Sequence, residues 1–414
     1  MIRLVEALGY RALRYARQNL SPFEVLVGPN GSGKTTFLDV IDLLADLIDD
    51  GPEAAVNARA TDIRQLTFRG GGTRFEAAIE MAIPAVLRER LPNGKPGVCR
   101  YEVALGEMDD GSLGLLSETL WLKADGPVTD PVPALFPMPP SPPLTIVVAP
   151  GRPAPTGWKK IVNKVTESGN DYFQSETSKW NNLFRLGPRK SALANLPEDE
   201  EKFPVATWVK RALLEGTQRI ELISELMRQA SAPGSPRFFK PDGSNLPWVV
   251  ETLAPERRQR WIDHVRTAIP EIENIRTVDR PEDRHRYLVI DYQGGFAVPS
   301  WLISDGTLRL LALTLLAYLP LDDQIFLIEE PENGIHPSNV ETVYQSLSSG
   351  YDAQVLCATH SPVFLGLAPA EKILCFAKTE SEGVAIVRGS EHPQLRDWKG
   401  EVDLGTLLAS GVLG

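Results

Sequence analysis

An α/β fold around a parallel sheet is what this sequence predicts, with a large mixed helical and β insertion between two parts of the fold. Three observations predict it. The apolar run Phe23–Val27 passes straight into the glycine-rich stretch GPNGSGKT and then into a segment of helical periodicity. A second apolar run, Ile325–Ile328, ends in two glutamates. A third, Gln354–Cys357, is followed by Ala-Thr-His-Ser. Strands that deliver polar residues at their C-terminal ends are the pattern of parallel sheets that bind ligands there.

Taken in order, short strands are expected near Ile2–Leu8 and Arg11–Tyr15, then Phe23–Val27. The helix from Lys34 to about Asp49 follows from Phe37, Leu38, Ile41, Leu44, Ala45 and Ile48, which recur at three- and four-residue steps. Gly51-Pro52 stops it. From Arg74 to Lys123 the runs RFEAAIEMAI, YEVALGE and LSETLWLKA alternate as strands do. The proline-rich stretch Pro127 to Pro155 excludes helix and central strand and reads as an extended linker or surface loop. Helices are expected over Phe203 to Gln229 and Pro255 to Ile269. The last third returns to α/β order: a helix over Asp305 to Tyr318, strands at Ile325–Ile328, Gln354–Cys357, Ile373–Ala377 and Val384–Val387, and a helix near Asn339–Ser348. The resulting division is an N-terminal lobe over 1–125, a linker and insertion over 126–290, and a C-terminal lobe over 291–414.

Composition narrows the function classes. The chain has 414 residues, with 43% hydrophobic and 23% charged, which excludes a disordered or fibrous protein. A net charge of −11 argues against gripping nucleic acid by bulk charge, although a local basic groove is compatible with it. The three cysteines, Cys99, Cys357 and Cys375, are too scattered for a disulfide scaffold or a cysteine-rich zinc site. Arginine breaks every apolar run of the first residues, and the longest mostly apolar stretch, Leu310 to Leu321, contains Thr314 and Pro320. It falls well short of the roughly 20 residues a membrane helix needs. The expectation is a cytoplasmic protein with no membrane partner.

Four motifs carry the chemistry. GPNGSGKT, Gly28 to Thr35, fits G-x-x-x-x-G-K-[ST]. Its backbone N–H groups, including those of Asn30, Gly31, Ser32 and Gly33, can face phosphate oxygens, and the following helix adds its positive end. Lys34 is placed to reach the β- and γ-phosphates of ATP, and the Thr35 hydroxyl to hold Mg²⁺. In IFLIEEPENGIHP, Ile325 to Pro337, Glu329 is expected to ligate that Mg²⁺ or hold one of its waters. Glu330, facing the other way, can polarise a water for attack on the γ-phosphate. In QVLCATHSP, Gln354 to Pro362, His360 can hydrogen-bond the γ-phosphate and sense its loss. It is one of only five histidines. In LISDGTLRLLAL, Leu302 to Leu313, Ser304 caps a helix and offers an anion site.

This order of motifs resembles the ABC-type ATPases. EEPENGIHP and ATHSP are similar to the RecF/SMC/OLD branch, and SDGTLRLLAL and PDGSNLPWVV resemble its bacterial stand-alone members, often described as AAA-type ATPases. The resemblance is strong over about residues 1–50 and 296–365. It implies that the two chain ends form an ABC-type ATPase head, and that Gly28 to Thr36 hold the triphosphate, Thr36 included. It implies that Ser304 and Gly306 contact the γ-phosphate of ATP held by a second protomer, in a homodimer or higher oligomer. It makes Glu330 the catalytic carboxylate and His360 the switch histidine, and places Glu332 to His336 where a D-loop crosses the dimer interface. Glu329 stands where an aspartate is more usual. Gln65 is the one candidate for the Q-loop glutamine.

The signature serine follows the loop threonine by 304 − 35 = 269 residues, a spacing unlike that of transporter subunits and like that of heads carrying an arm or lid. The 54 residues after His360 leave no room for a Toprim nuclease domain, so a nuclease effector is expected on a separate chain. Family context points to ATP hydrolysis that controls such a partner in anti-phage defence. The alternatives are a RecF-like DNA-binding repair ATPase and a scaffold that binds ATP without turning it over. For nucleic acid, the candidate surface is a basic set in the middle of the chain: Arg88, Arg90, Lys95, Arg100, Arg152, Lys159, Lys160, Lys164, Arg185, Arg189 and Lys190, interleaved with Trp158, Tyr172, Phe173 and Trp180. The competing reading is an ordinary solvated surface over core aromatics.

Overall fold

The α/β expectation holds in the computed structural model, which describes residues 1–94, 96–126, 136–148, 154–167, 169–320, 323–350, 353–379, 383–393 and 395. At its centre is a six-stranded sheet in the order Thr217–Ile220, Gln324–Glu329, Ala353–Ala358, Phe23–Val27, Ile373–Thr379, Gly383–Arg388. The first five strands are parallel and the last is antiparallel. Phe23–Val27 and Ala353–Ala358 are buried along their whole length, as strands covered on both faces must be. Leu26, Leu327, Leu356 and Phe376 pack with the helix Lys34–Asp49 through Phe37, Leu38, Ile41 and Leu44. Val25, Phe326, Ile328 and Cys357 pack in a second core with the helices Asp305–Leu315 and Val340–Ser348.

An eight-stranded antiparallel sheet flanks the first core, in the order Leu13–Asn19, Ile2–Tyr10, Arg74–Ala82, Pro96–Glu107, Leu113–Ala124, Lys159–Val165, Asp171–Gln174, Asn181–Phe184. Alternation sets its faces. Phe75, Ala77 and Ile79 join the core, while Glu76 and Glu80 point the other way. On that far face Arg100 is buried against Glu6, Glu80 and Glu102 at 2.7, 3.4 and 2.9 Å. Part of the proline-rich stretch, 136–148, crosses this face without regular structure. It is held where Glu76 accepts the Ile146 N–H at 2.7 Å and Glu102 accepts the Val148 N–H at 2.9 Å. The rest of that stretch, 127–135 and 149–153, lies outside the described residues. A third sheet, Ile272–Asp279, Arg286–Tyr292 and Phe296–Pro299, packs on the helices Leu246–Thr252 and Pro255–Ala268.

One expected helix is not continuous. Over Phe203 to Gln229 the chain forms a helix at Pro204–Arg211, a π turn to Gly216, the strand Thr217–Ile220 and a short helix at Ser224–Arg228. The spacing of Ile220, Ile223 and Leu226 fits a helix, but parallel pairing of Arg219 with Leu327 at the sheet edge overrides local periodicity.

Part of the basic set is spent inside the protein. Arg100 is consumed in its buried network, Lys164 is fully buried, and Lys159 donates to the Ser175 and Glu176 carbonyls. Phe173 lies in the core, stacked on Phe184. Lys95 and Arg152 lie outside the described residues.

Candidate active site

The phosphate loop is shaped by close backbone approach. Gly28 has φ +148°, and a Cβ there would stand 2.1 Å from the Phe376 carbonyl oxygen. Gly33, with φ +98°, provides the left-handed entry to the helix Lys34–Asp49. The Lys34 ammonium is buried and donates to the Gly28 and Pro29 carbonyls at 2.8 and 3.2 Å. Burial pulls its pKa down to about 8, opposed by the nearby Glu330 and Glu329.

Parallel pairing through the Ala353–Ala358 strand brings the acidic strand end to this loop across nearly 300 residues of chain. The Thr35 hydroxyl donates to Glu329 Oε2 at 2.5 Å. Glu330 sits just past the strand with φ +48°, a left-handed conformation rare for a side-chain-bearing residue, and its N–H donates to the Ala358 carbonyl at 2.8 Å. Strain of this kind persists where the surroundings enforce it, and it marks functional sites. His360 Nε2 lies 3.7 Å from Glu330 Oε1. Burial and the charge of Lys34 lower the imidazole pKa, against a raising effect of Glu332, so the ring is neutral at pH 7. Glu332 accepts the Thr359 hydroxyl at 2.5 Å, and burial pushes its carboxyl up to about 7.

The residues expected to act together therefore fall into two groups. Lys34, Thr35, Glu329, Glu330 and His360 converge at one end of the central sheet. Ser304 caps its helix, accepting the Thr307 N–H at 3.3 Å, and none of its hydrogen bonds goes to the phosphate loop. Gly306 packs where a Cβ would stand 2.5 Å from the Gly334 carbonyl, so the signature helix rests on the loop that follows the two glutamates. Gln65 is exposed on the turn Ile63–Leu66, and no hydrogen bond joins it to the site. The edge beside the acidic strand is occupied instead by Thr217–Ile220, whose Arg219 donates to Glu329 Oε1 at 2.7 Å. Arg219 was not legible in the sequence. The only signal was the β-prone TQRI run after Gly216, masked by helical spacing on either side.

The donor set fits Mg-ATP. Ser32 Oγ is buried in the loop with no hydrogen-bond partner, as a group facing a phosphate would be. The Thr35 hydroxyl and the Glu329 carboxylate, which already meet, are ligands of the hard-oxygen kind Mg²⁺ takes.

The family described as "AAA domain, putative AbiEii toxin, Type IV TA system" matches residues 23–366. The chain belongs to this family. Among curated proteins none matches it. Among solved structures, it is similar to the Smc head bound to the C-winged helix domain of ScpA, with TM-score 0.53 at 15% identity over 93% of this chain and 97% of that one. An Smc head with an extended coiled coil, derived from Pyrococcus furiosus and bound to the C-terminal domain of ScpA, gives 0.49 at 12% identity over 93% and 95%. The SMC head domain from Thermotoga maritima gives 0.44 at 10% over 94% and 98%. At 15% identity the likeness to the first of these is one of fold, that of the Smc head. Among the described residues no helix is long and apolar enough to cross a membrane.

Proposed function

We propose that this chain is an ATP-hydrolysing head of the RecF/SMC/OLD branch, cytoplasmic, that dimerises around two ATP and thereby controls a separate effector in anti-phage defence. The observation that carries the hydrolytic part is the convergence of Lys34, Thr35, Glu329, Glu330 and His360 at one sheet end. In this reading the loop N–H groups and Lys34 hold the triphosphate. Thr35 and Glu329 would hold Mg²⁺, which would supply positive charge against the triphosphate. Glu330 orients a water and takes its proton as the water attacks. Neutral His360, beside Glu330, donates to the γ-phosphate and loses that contact after hydrolysis.

Dimerisation is supported by the exposed Ser304 and half-buried Gly306, at a capped helix start with no hydrogen bond from Ser304 to the phosphate loop of the same chain. In the paired head each signature would meet the partner's ATP. In this reading 1–125 and 291–414 make up the head and 126–290 a linker and insertion, an arm or lid, whose strand Thr217–Ile220 completes the edge of the central sheet. Control of a separate effector is supported by the Smc head that is bound to a separate chain, ScpA. The DNA-repair alternative is weakened by Arg100, Lys159 and Lys164 being spent inside the protein.

The test is ATP turnover by the wild type beside Glu330→Gln, with mass analysis in Mg-ATP. The expected result is turnover reduced about a hundredfold or more in the variant, as for loss of a general base, with the variant held as an ATP-dependent dimer or larger oligomer. Absence of turnover in both, with a mass indifferent to nucleotide, would leave the non-hydrolysing scaffold as the better reading.

A further inference from the structure

Glu329 is shared between two elements. Oε2 accepts the Thr35 hydroxyl at 2.5 Å, and Oε1 accepts Arg219 Nη2 at 2.7 Å. The same guanidinium reaches across to the helix after the phosphate loop, with Nε 3.3 Å from Asp42 Oδ2, and lies 3.8 Å from Glu221 Oε1. Arg219 thus stands between three carboxylates, with its most direct bond to the one expected to serve the metal.

A divalent cation on Thr35 and Glu329 would face this guanidinium at close range, and two cations bound to one carboxylate repel. The repulsion can be relieved without unfolding anything. Asp39 and Asp46 are committed to Arg59, each at 2.7 Å, and Asp42 is the acid of that helix already beside Arg219, 3.3 Å from its Nε. A cavity of about 480 Å³, lined by Asp42, Asp46, Arg59, Arg219 and Glu221 among others, leaves room for the side chain to turn.

We propose that Arg219 is a built-in competitor for Mg²⁺ at Glu329, and that Asp42 is the acceptor to which it turns when the metal binds. The inference rests on the reading of this site as an Mg-ATP site. It makes metal entry and the position of the Thr217–Ile220 strand two sides of one equilibrium.

The experiment measures Mn²⁺ binding by the disappearance of the free-ion EPR signal, on the full chain saturated with the non-hydrolysable analogue AMP-PNP. AMP-PNP affinity in EDTA is measured first. Arg219→Gln is expected to bind Mn²⁺ about tenfold more tightly than wild type, and Asp42→Asn about tenfold more weakly, because Arg219 then loses its nearer second acceptor and keeps only the exposed Glu221, 3.8 Å away. Arg219→Lys, which keeps the charge, is expected to stay near wild type. Unchanged or weaker Mn²⁺ binding by Arg219→Gln would overturn the competition. An Asp42→Asn variant equal to wild type would overturn the transfer, and an Arg219→Lys variant as tight as Arg219→Gln would overturn the role of charge. If the wild type does not bind AMP-PNP, the Mg-ATP reading fails and this inference falls with it.

Discussion

Replacing Gly28 by alanine places a methyl 2.1 Å from the Phe376 carbonyl oxygen and 2.9 Å from Ser32 Oγ, at φ +148°. Ordinary contact would need the carbonyl oxygen to lie about 1.3 Å or more further away. Neither side gives easily. Phe376 is in a strand paired on one side with Phe23–Val27 and on the other with Gly383–Arg388. The cost is the backbone strain of about 1–3 kcal/mol plus a ladder bond or two at about 1 kcal/mol each, so roughly 2–5 kcal/mol in all. Gly31 is the internal control. It also has positive φ, +74°, but a Cβ there meets no protein atom within 4 Å. Gly31→Ala should lose only the left-handed penalty of about 1–2 kcal/mol. Gly33→Ala falls between, because its Cβ would meet Val384 Cγ2 at 2.7 Å, a side-chain atom that can move. Removing that obstacle with Val384→Ala should return part of the loss at Gly33 and none at Gly28. The assay is urea denaturation of the three variants and the Gly33→Ala/Val384→Ala double variant. Losses for Gly28→Ala and Gly31→Ala that agree within about 0.5 kcal/mol, the usual additivity error, would refute the steric account. So would a Gly33 variant indifferent to Val384.

Two further predictions concern carboxylates buried outside the site. Glu176 is buried and accepts the Val205 and Ala206 N–H groups at 2.7 Å each, and burial pushes its carboxyl up to about 7. Its folded pKa lies above the ordinary value of 4.5, so its contribution is fully present below about pH 4.5 and is lost as pH rises through about 7. The stability of wild type relative to Glu176→Gln should therefore fall by about 3 kcal/mol over that window and be flat outside it, read by urea denaturation against pH. Glu118 is buried and accepts Tyr101 Oη at 2.9 Å, Ser191 Oγ at 2.7 Å, and the Ala192 and Leu193 N–H groups at 2.5 and 2.9 Å. Glu118→Ala strands these donors and should cost at least about 4 kcal/mol, while Glu118→Gln, which keeps an acceptor, should cost about half as much.

What was legible in the sequence is what local chemistry dictates. Gly28 to Thr35 between a strand and a helix, and Glu329, Glu330 and His360 past buried strands, are each set by a few neighbouring residues. The outer sheet was legible through alternation from Arg74 to Lys123, because one face had to be apolar. Its far face was not. Nothing local says that Glu76 and Glu102 hold the segment 136–148, since they read as solvated glutamates on alternating strands. Lys164 failed for the same reason. A lysine in a polar run reads as surface until a cross-strand neighbour such as Glu118 proves to lie in the interior. Arg219 failed because sheet-edge pairing is a long-range property, and the periodicity around it favoured a helix.

That failure bears on mechanism, because the misread segment links the outer sheet to the chemistry. Glu176, beyond the strand Asp171–Gln174, caps the helix Pro204–Arg211. Trp208 of that helix donates to Asp323 at 2.6 Å, immediately before the acidic strand. The chain then forms the edge strand carrying Arg219, and continues to Leu222, whose carbonyl accepts Arg309 of the signature helix at 3.1 Å. Arg228 follows, paired with Asp305 at 2.5 Å in the first turn of the same helix. One stretch of about two dozen residues therefore contacts Glu329 and the helix Asp305–Leu315 alike. Contact alone is no proof of coupling; a demonstrated two-state element is needed. Arg219 supplies the candidate, since its guanidinium has two acceptors on different elements and a divalent cation would favour only one of them. A force on the middle of the chain that displaced the edge strand would change how strongly Arg219 competes at Glu329. By reciprocity, metal binding would pull on the same strand with equal free energy.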